Sequence, residues 1–283
     1  MYVVMDDAGD IPAGLAESLD ILVVPINITF GTEQYLSGVT MDHAAFYEKT
    51  KTVDHHNFPK TSQPTPYQFE QAFRSLLDRG VDEILTVTVS EKLSGTYASA
   101  VAAARALADR ATFHLFDSTA GSGVQGLMAL EAARLAREGV ASERILARLE
   151  QMRAQFSLFF LIDSLEYAVR GGRVSTLRSA VASLLKIKPL MTVEDGLIVE
   201  AGRVRTYKRA LDTMIDAVRA EVGERLVTLA VAHGNRPEAG RQLLEQARPH
   251  FRVADAFLMD LAISVAVNLG PGALGLIAIP VAT

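Results

Sequence analysis

Short apolar, β-branched runs alternate with segments of helical period along the first half of this 283-residue chain. Ile21 to Phe30, Ile84 to Val89 and Thr112 to Phe116 read as strands. Between and after them lie a short helix starting near Thr40, an Ala98–Ala108 helix and a Gly126–Arg137 helix. A further helix is capped at Ser142, with Ile145, Leu146, Leu149 and Met152 on one face. Thr65-Pro66-Tyr67-Gln68 is a capping box with proline at the first helical position. Phe69, Ala72, Phe73, Leu76 and Leu77 follow as that helix's apolar stripe, and Gly80 ends it. Thr50 to Gln63 reads as a polar loop. Such alternation places strands in parallel, with helices on both faces of the sheet.

The pattern changes after Phe156. Leu158 to Ile162 is a strand, Asp163 starts a short helix, and Gly171-Gly172 breaks it. Glu194-Asp195-Gly196 is a hairpin turn between Leu190–Val193 and Leu197–Ala201. Helices over Thr206–Glu221 and Pro237–Arg248 alternate with strands at Leu226–Ala232, Val253–Met259 and Leu274–Ile279. The expected architecture is therefore α/β in two domains. Residues 1–156 form a parallel α/β/α sheet, and residues 157–283 a second α/β domain with a mixed sheet.

Leu261 to Thr283 holds 23 residues without a charge, long enough to span a bilayer. Gly270-Pro271-Gly272 interrupts it, Asn268 and Pro280 add polarity and a break, and no Lys or Arg flanks it. A short helix, a turn and a buried strand are expected instead. Tyr2 to Met5 reads as a strand rather than a leader, so the expected location is the cytoplasm. The net charge of −5 argues against nucleic-acid binding. The absence of cysteine excludes disulfides, thiolate metal sites and a cysteine nucleophile.

Several motifs have both a chemical and a plain reading. Gly121-Ser122-Gly123-Val124-Gln125-Gly126 matches the dinucleotide fingerprint and follows a strand. The acidic residue expected about 20 residues on is absent from a second strand, which favours a glycine-rich helix start packed on the sheet. Ser183-Leu184-Leu185-Lys186 matches an acylation motif without its companion motifs. His55-His56 has no evident third metal ligand, and His114 sits inside an apolar strand. His233-Gly234-Asn235 ends a strand, as a site or as a turn.

Two hydroxyl clusters are more informative. Lys60-Thr61-Ser62-Gln63-Pro64 precedes the capped helix, and Ser90-Glu91-Lys92-Leu93-Ser94-Gly95-Thr96 links a buried strand to the next helix. Ligands of open α/β sheets bind beyond the carboxyl ends of strands, and helix starts favour anions. These hydroxyls are either donors to a carboxylate or phosphate, or helix caps, and spacing alone leaves both open.

Taken in order, the motifs resemble the DegV family of bacterial fatty-acid-binding proteins. They are Asp6-Asp7-Ala8-Gly9-Asp10-Ile11-Pro12, Lys60-Thr61-Ser62-Gln63-Pro64, Leu93-Ser94-Gly95-Thr96-Tyr97, Asp117-Ser118, Leu165-Glu166-Tyr167 with Gly171-Gly172-Arg173, Ile187-Lys188-Pro189 and Gly270-Pro271-Gly272. The resemblance implies a carrier rather than an enzyme. One long-chain fatty acid such as palmitate would lie in an apolar tunnel at the domain junction, with no other cofactor and no metal. Its carboxylate would be held by Thr61 and Ser94, with Ser62, Gly95, Thr96, Asn268 and Gly270 around it. A separate fatty acid kinase would convert the presented carboxylate to an acyl-phosphate for phospholipid synthesis. The family often has His where this chain has Asn268, and Thr-Asp-Ser where it has Met5-Asp6-Asp7.

A C16 chain buries about 15 methylene or methyl groups at roughly 0.8 kcal/mol each, about 12 kcal/mol in all. Neutral head-group donors therefore suffice for tight binding. No nucleophile–base pair is evident. The competing readings are a nicotinamide-dependent oxidoreductase using Gly121–Gly126, or a serine acyltransferase using Ser94. Arg170, Arg173, Arg203 and Arg205 are candidate contacts to a partner kinase or, transiently, an anionic membrane surface. The alternative for them is local ion pairing in solvent.

Overall fold

A computed structural model describes residues 1–12, 14–163, 165–174 and 188–282. The chain divides into two compact units, Met1–Glu150 with Ala262–Ser264, and Gln151–Leu261 with Val265–Thr283.

The first unit contains β1 (Tyr2–Asp6), α1 (Leu15–Ser18), β2 (Leu22–Val24), β3 (Asn27–Phe30), β4 (Glu33–Leu36), α2 (His43–Thr50) and β5 (Pro59–Ser62). It continues with α3 (Pro66–Leu77), β6 (Glu83–Thr88), α4 (Thr96–Ala106), β7 (Thr112–Asp117) and α5 (Ser122–Arg137). α6 (Ser142–Gln155) leads out of it, and the division between units falls within this helix. Four strands form a sheet of order β2-β1-β6-β7, paired in parallel throughout. Phe69, Phe73 and Leu76 of α3 and Ala100, Ala103 and Ala104 of α4 pack with Val4 and Ile84 of this sheet. The alanines of α4 give little lateral bulk, which lets α3 and α4 lie side by side.

A small antiparallel sheet of order β4-β3-β5 completes the unit. It corrects two expectations. Ile21 to Phe30 is two strands in two sheets, because Pro25 lacks the N–H needed to continue a ladder and the chain turns there. The Thr50–Gln63 stretch contains β5, whose Thr61 pairs with Ile28 and whose Ser62 pairs with Asn27. Polar residues on a small, largely solvated sheet carry no apolar alternation, so periodicity does not reveal them. α2 starts at His43, where Asp42 accepts from the Ala45 N–H at 2.8 Å. The Thr65 capping box forms as expected, with Gln68 N–H to Thr65 Oγ1 at 3.2 Å and Thr65 N–H to Gln68 Oε1 at 2.9 Å.

The second unit contains β8 (Ser157–Leu161), α7 (Leu165–Gly171), β9 (Lys188–Glu194), β10 (Leu197–Val204) and α8 (Tyr207–Val222). It continues with β11 (Leu226–His233), α9 (Pro237–Ala247), β12 (Arg252–Asp260), α10 (Ile263–Leu269) and β13 (Leu274–Pro280). Its six-stranded sheet has the order β10-β9-β8-β13-β11-β12, with only β11 and β12 parallel. The hairpin turns through Asp195 and Gly196, both at positive φ, as a two-residue turn of this hand requires. Leu211, Met214, Ile215 and Val218 of α8 pack on Leu229, Val231 and Leu276 of the sheet. The uncharged C-terminal stretch is α10, a turn with Gly270 and Gly272 at φ 84° and 89°, and the wholly buried β13. Among the described residues, no helix is long and apolar enough to cross a membrane.

Candidate functional site

The parallel sheet of the first unit reverses its winding at β1, with β2 on one side and β6 on the other. The crevice beyond the carboxyl ends of strands at such a reversal is where open α/β sheets hold ligands. Asp6 ends β1 there and is fully buried. Its carboxylate accepts from Val89 N–H at 2.8 Å, Ala8 N–H at 2.9 Å and Gln125 Nε2 at 3.0 Å. One side chain thus ties the end of β1 to the end of β6 and to α5. Burial pushes Asp6 up to about 6, against the pull of those three donors. Asp7 is pushed up to about 7, chiefly by burial, with the Ser37 hydroxyl opposing and the Asp6 charge adding to it. The Asp7 Oδ2 atom is buried without a hydrogen-bond partner among the described residues. Asp10 accepts from the Ala262 N–H at 2.7 Å and from the Ser122 hydroxyl.

The loop after β6 carries Ser94. Its fold is set by Ser90, whose carbonyl accepts from the Leu93 and Ser94 N–H groups at 3.0 and 3.1 Å. α4 then starts at Gly95, with no side-chain cap. α3 is capped by Thr65, not by Thr61 or Ser62. The capping explanation therefore fails for Thr61, Ser62 and Ser94. Ser94 Oγ lies 2.8 Å from Thr96 Oγ1, so it meets a second hydroxyl rather than a base. Thr61 and Ser94 are half-buried, Ser62 exposed and Thr96 buried.

The structure brings the two hydroxyl segments together. A Cβ on Gly95 would stand 2.7 Å from Gln63 Nε2, so glycine is what lets the β5–α3 connection lie against the Ser94 loop. The Gln63–Gly95 approach thus joins the segment that carries Thr61 to the segment that carries Ser94 and Thr96, while Ser62 occupies the opposite face of β5 from Thr61.

Asn268 and Gly270 belong to the second unit. A Cβ on Gly171 would lie 2.9 Å from both Cα and Oδ1 of Asn268, so α7 and the end of α10 meet backbone to side chain. The Gly270–Gly272 turn is anchored by Gly272 N–H to Gly234 O and Gly234 N–H to Ala273 O, both 2.8 Å. The strand-ending His233-Gly234-Asn235 is therefore a structural turn, with the His233 ring packed toward Gly240. Asp163 lies against Gly272 and bridges two cations, Lys188 at 2.7 Å and Arg236 at 2.8 Å. Sequence reasoning missed this clasp, because its three members are spread over 73 positions in loops and strand ends.

Of the four arginines singled out, Arg170 pairs with Glu166 at 3.0 Å and Arg203 forks onto Glu200. Arg173 donates to the Gly171 carbonyl at 2.8 Å. Arg205 is exposed and has no carboxylate partner among the described residues. His114 meets Glu83 at 2.9 Å, and the His55 and His56 rings stack 3.8 Å apart in an exposed loop. Among the described residues no group of three or more His, Asp or Glu side chains could hold a metal. Ser183–Lys186 lies outside the described residues.

Gly121–Gly126 is a packing element. A Cβ on Gly126 would fall 1.7 Å from the Asp10 carbonyl oxygen. Ser122 N–H donates to Ala8 O at 2.7 Å, and Asp10 N–H to Ser122 O at 3.1 Å. The start of α5 is thereby covered by residues 8–10, leaving no open amide cradle for a pyrophosphate. The dinucleotide reading is set aside.

A parallel sheet with hydroxyl-bearing segments near the carboxyl ends of its strands is the build of an α/β protein that holds a ligand there. The chain matches the family model described as "Uncharacterised protein, DegV family" over residues 1–281, and it belongs to the DegV family. A DegV domain-containing protein of Listeria innocua is 34% identical over 275 residues, covering 97% of this chain and 96% of its own. A DegV family protein of Thermus thermophilus, described for its fatty acid binding, superposes with a TM-score of 0.89 at 30% identity, covering 99% of each chain. A stearic acid-binding protein of Eubacterium ventriosum superposes with a TM-score of 0.90 at 26% identity, covering 99% of this chain and 98% of its own. The Thermus thermophilus and Eubacterium ventriosum proteins are both described as fatty acid binding.

Proposed function

We propose that this protein binds one long-chain fatty acid and presents its carboxylate to a partner fatty acid kinase. The observation that carries the reading is the pair of hydroxyls, Thr61 and Ser94. They come from strand β5 and from the loop after β6, serve no helix cap, and belong to segments that meet where Gln63 lies against Gly95. Similarity to fatty-acid-binding DegV proteins supplies the ligand class. Thr96 orients the Ser94 hydroxyl, and Gly95 opens the backbone to the head group, whose charge faces the start of α4.

Burial of the acyl chain supplies most of the affinity, about 12 kcal/mol gross for C16. The hydroxyls orient the carboxylate rather than trap it by charge. In the coupled reaction a carboxylate oxygen attacks the terminal phosphorus of the kinase's nucleotide, forming the acyl-phosphate and releasing the diphosphate. This chain holds the nucleophile's carboxylate and contributes no base. Arg205, which is exposed and has no carboxylate partner among the described residues, is the strongest contact for the kinase's acidic surface or, transiently, for anionic lipid. For Asn268 and Gly270 the support is the build of the Gly270–Gly272 turn and the position of Asn268 against Gly171.

Native mass spectrometry of the purified protein tests the reading. One fatty acid of about C14–C18 per chain is expected. Empty protein that takes up no added palmitate would refute it.

A further inference from the structure

We propose that Gln63 is a third head-group ligand and makes this protein select an anionic head group over a neutral one. The inference rests on the fatty-acid reading above. Gln63 directly follows β5, the strand that carries Thr61. The backbone at this point is pinned by Asn27, whose Nδ2 donates to the Gln63 carbonyl at 3.0 Å. The Gln63 carboxamide lies across Gly95, with Nε2 2.7 Å and Cδ 3.1 Å from where a Cβ would stand. Its two N–H donors are therefore beside the segment that carries the Ser94 and Thr96 hydroxyls.

Two other glutamines show what a carboxamide does when the fold itself uses it. Gln68 spends its carboxamide on Thr65, Asn27 and the Pro25 carbonyl. Gln125 spends its amide nitrogen on Asp6 and two backbone carbonyls. The Gln63 carboxamide forms no hydrogen bond with any described residue, although it sits between two hydroxyl segments. A carboxylate offers about four lone-pair sites, and two hydroxyls fill only part of them. An amide N–H pair at this place completes the set for an anion, and it gains less from the neutral oxygen of an alcohol than from a charged carboxylate.

Two near-isosteric variants test this at an exposed position. Gln63→Met removes the donors, and Gln63→Glu replaces them with a like charge. Delipidated parent and variants are titrated with palmitate and with hexadecanol at pH 8, and their melting temperatures are compared. Palmitate affinity is expected to fall about tenfold in Gln63→Met, the scale of one hydrogen bond to a charged acceptor. A larger loss, about a hundredfold, is expected in Gln63→Glu. Hexadecanol affinity and melting temperature should stay within about twofold and a degree or so of the parent, since neither variant touches the core. Unchanged palmitate affinity in both variants, or parallel losses for palmitate and hexadecanol, would overturn the role of Gln63. A parent that binds no palmitate would instead overturn the fatty-acid reading, and this inference with it.

Discussion

Asp7→Asn should stabilise the ligand-free protein at alkaline pH and leave it nearly unchanged in acid. The Asp7 carboxyl is pushed up to about 7 from 3.8, chiefly because burial penalises its charged form. A group that holds its proton more tightly when folded leaves the unfolded chain with fewer bound protons between those two values. Stability therefore falls as pH rises through that window and stays low above it. The full shift of about three units corresponds to about 4 kcal/mol at 1.36 kcal/mol per unit. Asp7 is only half-buried as a residue, so water near it reduces the realised cost to about 2 kcal/mol. Asparagine keeps the shape and removes the charge. Urea unfolding of parent and variant should thus show a gain growing from near zero at pH 4 to about 2 kcal/mol at pH 8. A gain independent of pH, a loss at pH 8, or a gain largest in acid would refute the reasoning.

Gly126→Ala should abolish or severely reduce folded yield, since its Cβ would lie 1.7 Å from the Asp10 carbonyl oxygen and both partners are backbone. Circular dichroism and soluble yield read the outcome. Thr61→Ala and Ser94→Ala should each weaken palmitate binding by about 1–3 kcal/mol without abolishing it, as calorimetry would show. Palmitate affinity of the parent should be nearly flat between about pH 6 and 8, because Asn268 has no charge to lose. Asn268→His should bind tighter on the acidic side of about pH 6.5, where the imidazole becomes cationic. Identical profiles for both proteins would detach residue 268 from the head group.

Where elements repeat a strong period, the sequence revealed them. The Thr65 capping box, the α3 stripe and the Glu194-Asp195-Gly196 turn all stand where patterning places them. The small β4-β3-β5 sheet was hidden, because Glu33 to Leu36 and Pro59 to Ser62 lack an alternating apolar face and Pro25 sits inside an apolar run. That omission obscured the site as well. With Thr61 on a loop, its side-chain direction is undefined. On β5 it lies on the opposite face from Ser62. The Asp163 clasp and the use of Gly126 as a contact point depend on residues distant in sequence, which no local pattern encodes.

Denaturing extraction of the purified protein followed by lipid mass spectrometry tests the central claim most directly. One long-chain fatty acid per chain, displaced by added palmitate and recovered in lower yield from a Thr61→Ala, Ser94→Ala double variant washed under the same conditions, is the expected result. A parent that carries no fatty acid and takes up none when palmitate is supplied would contradict it.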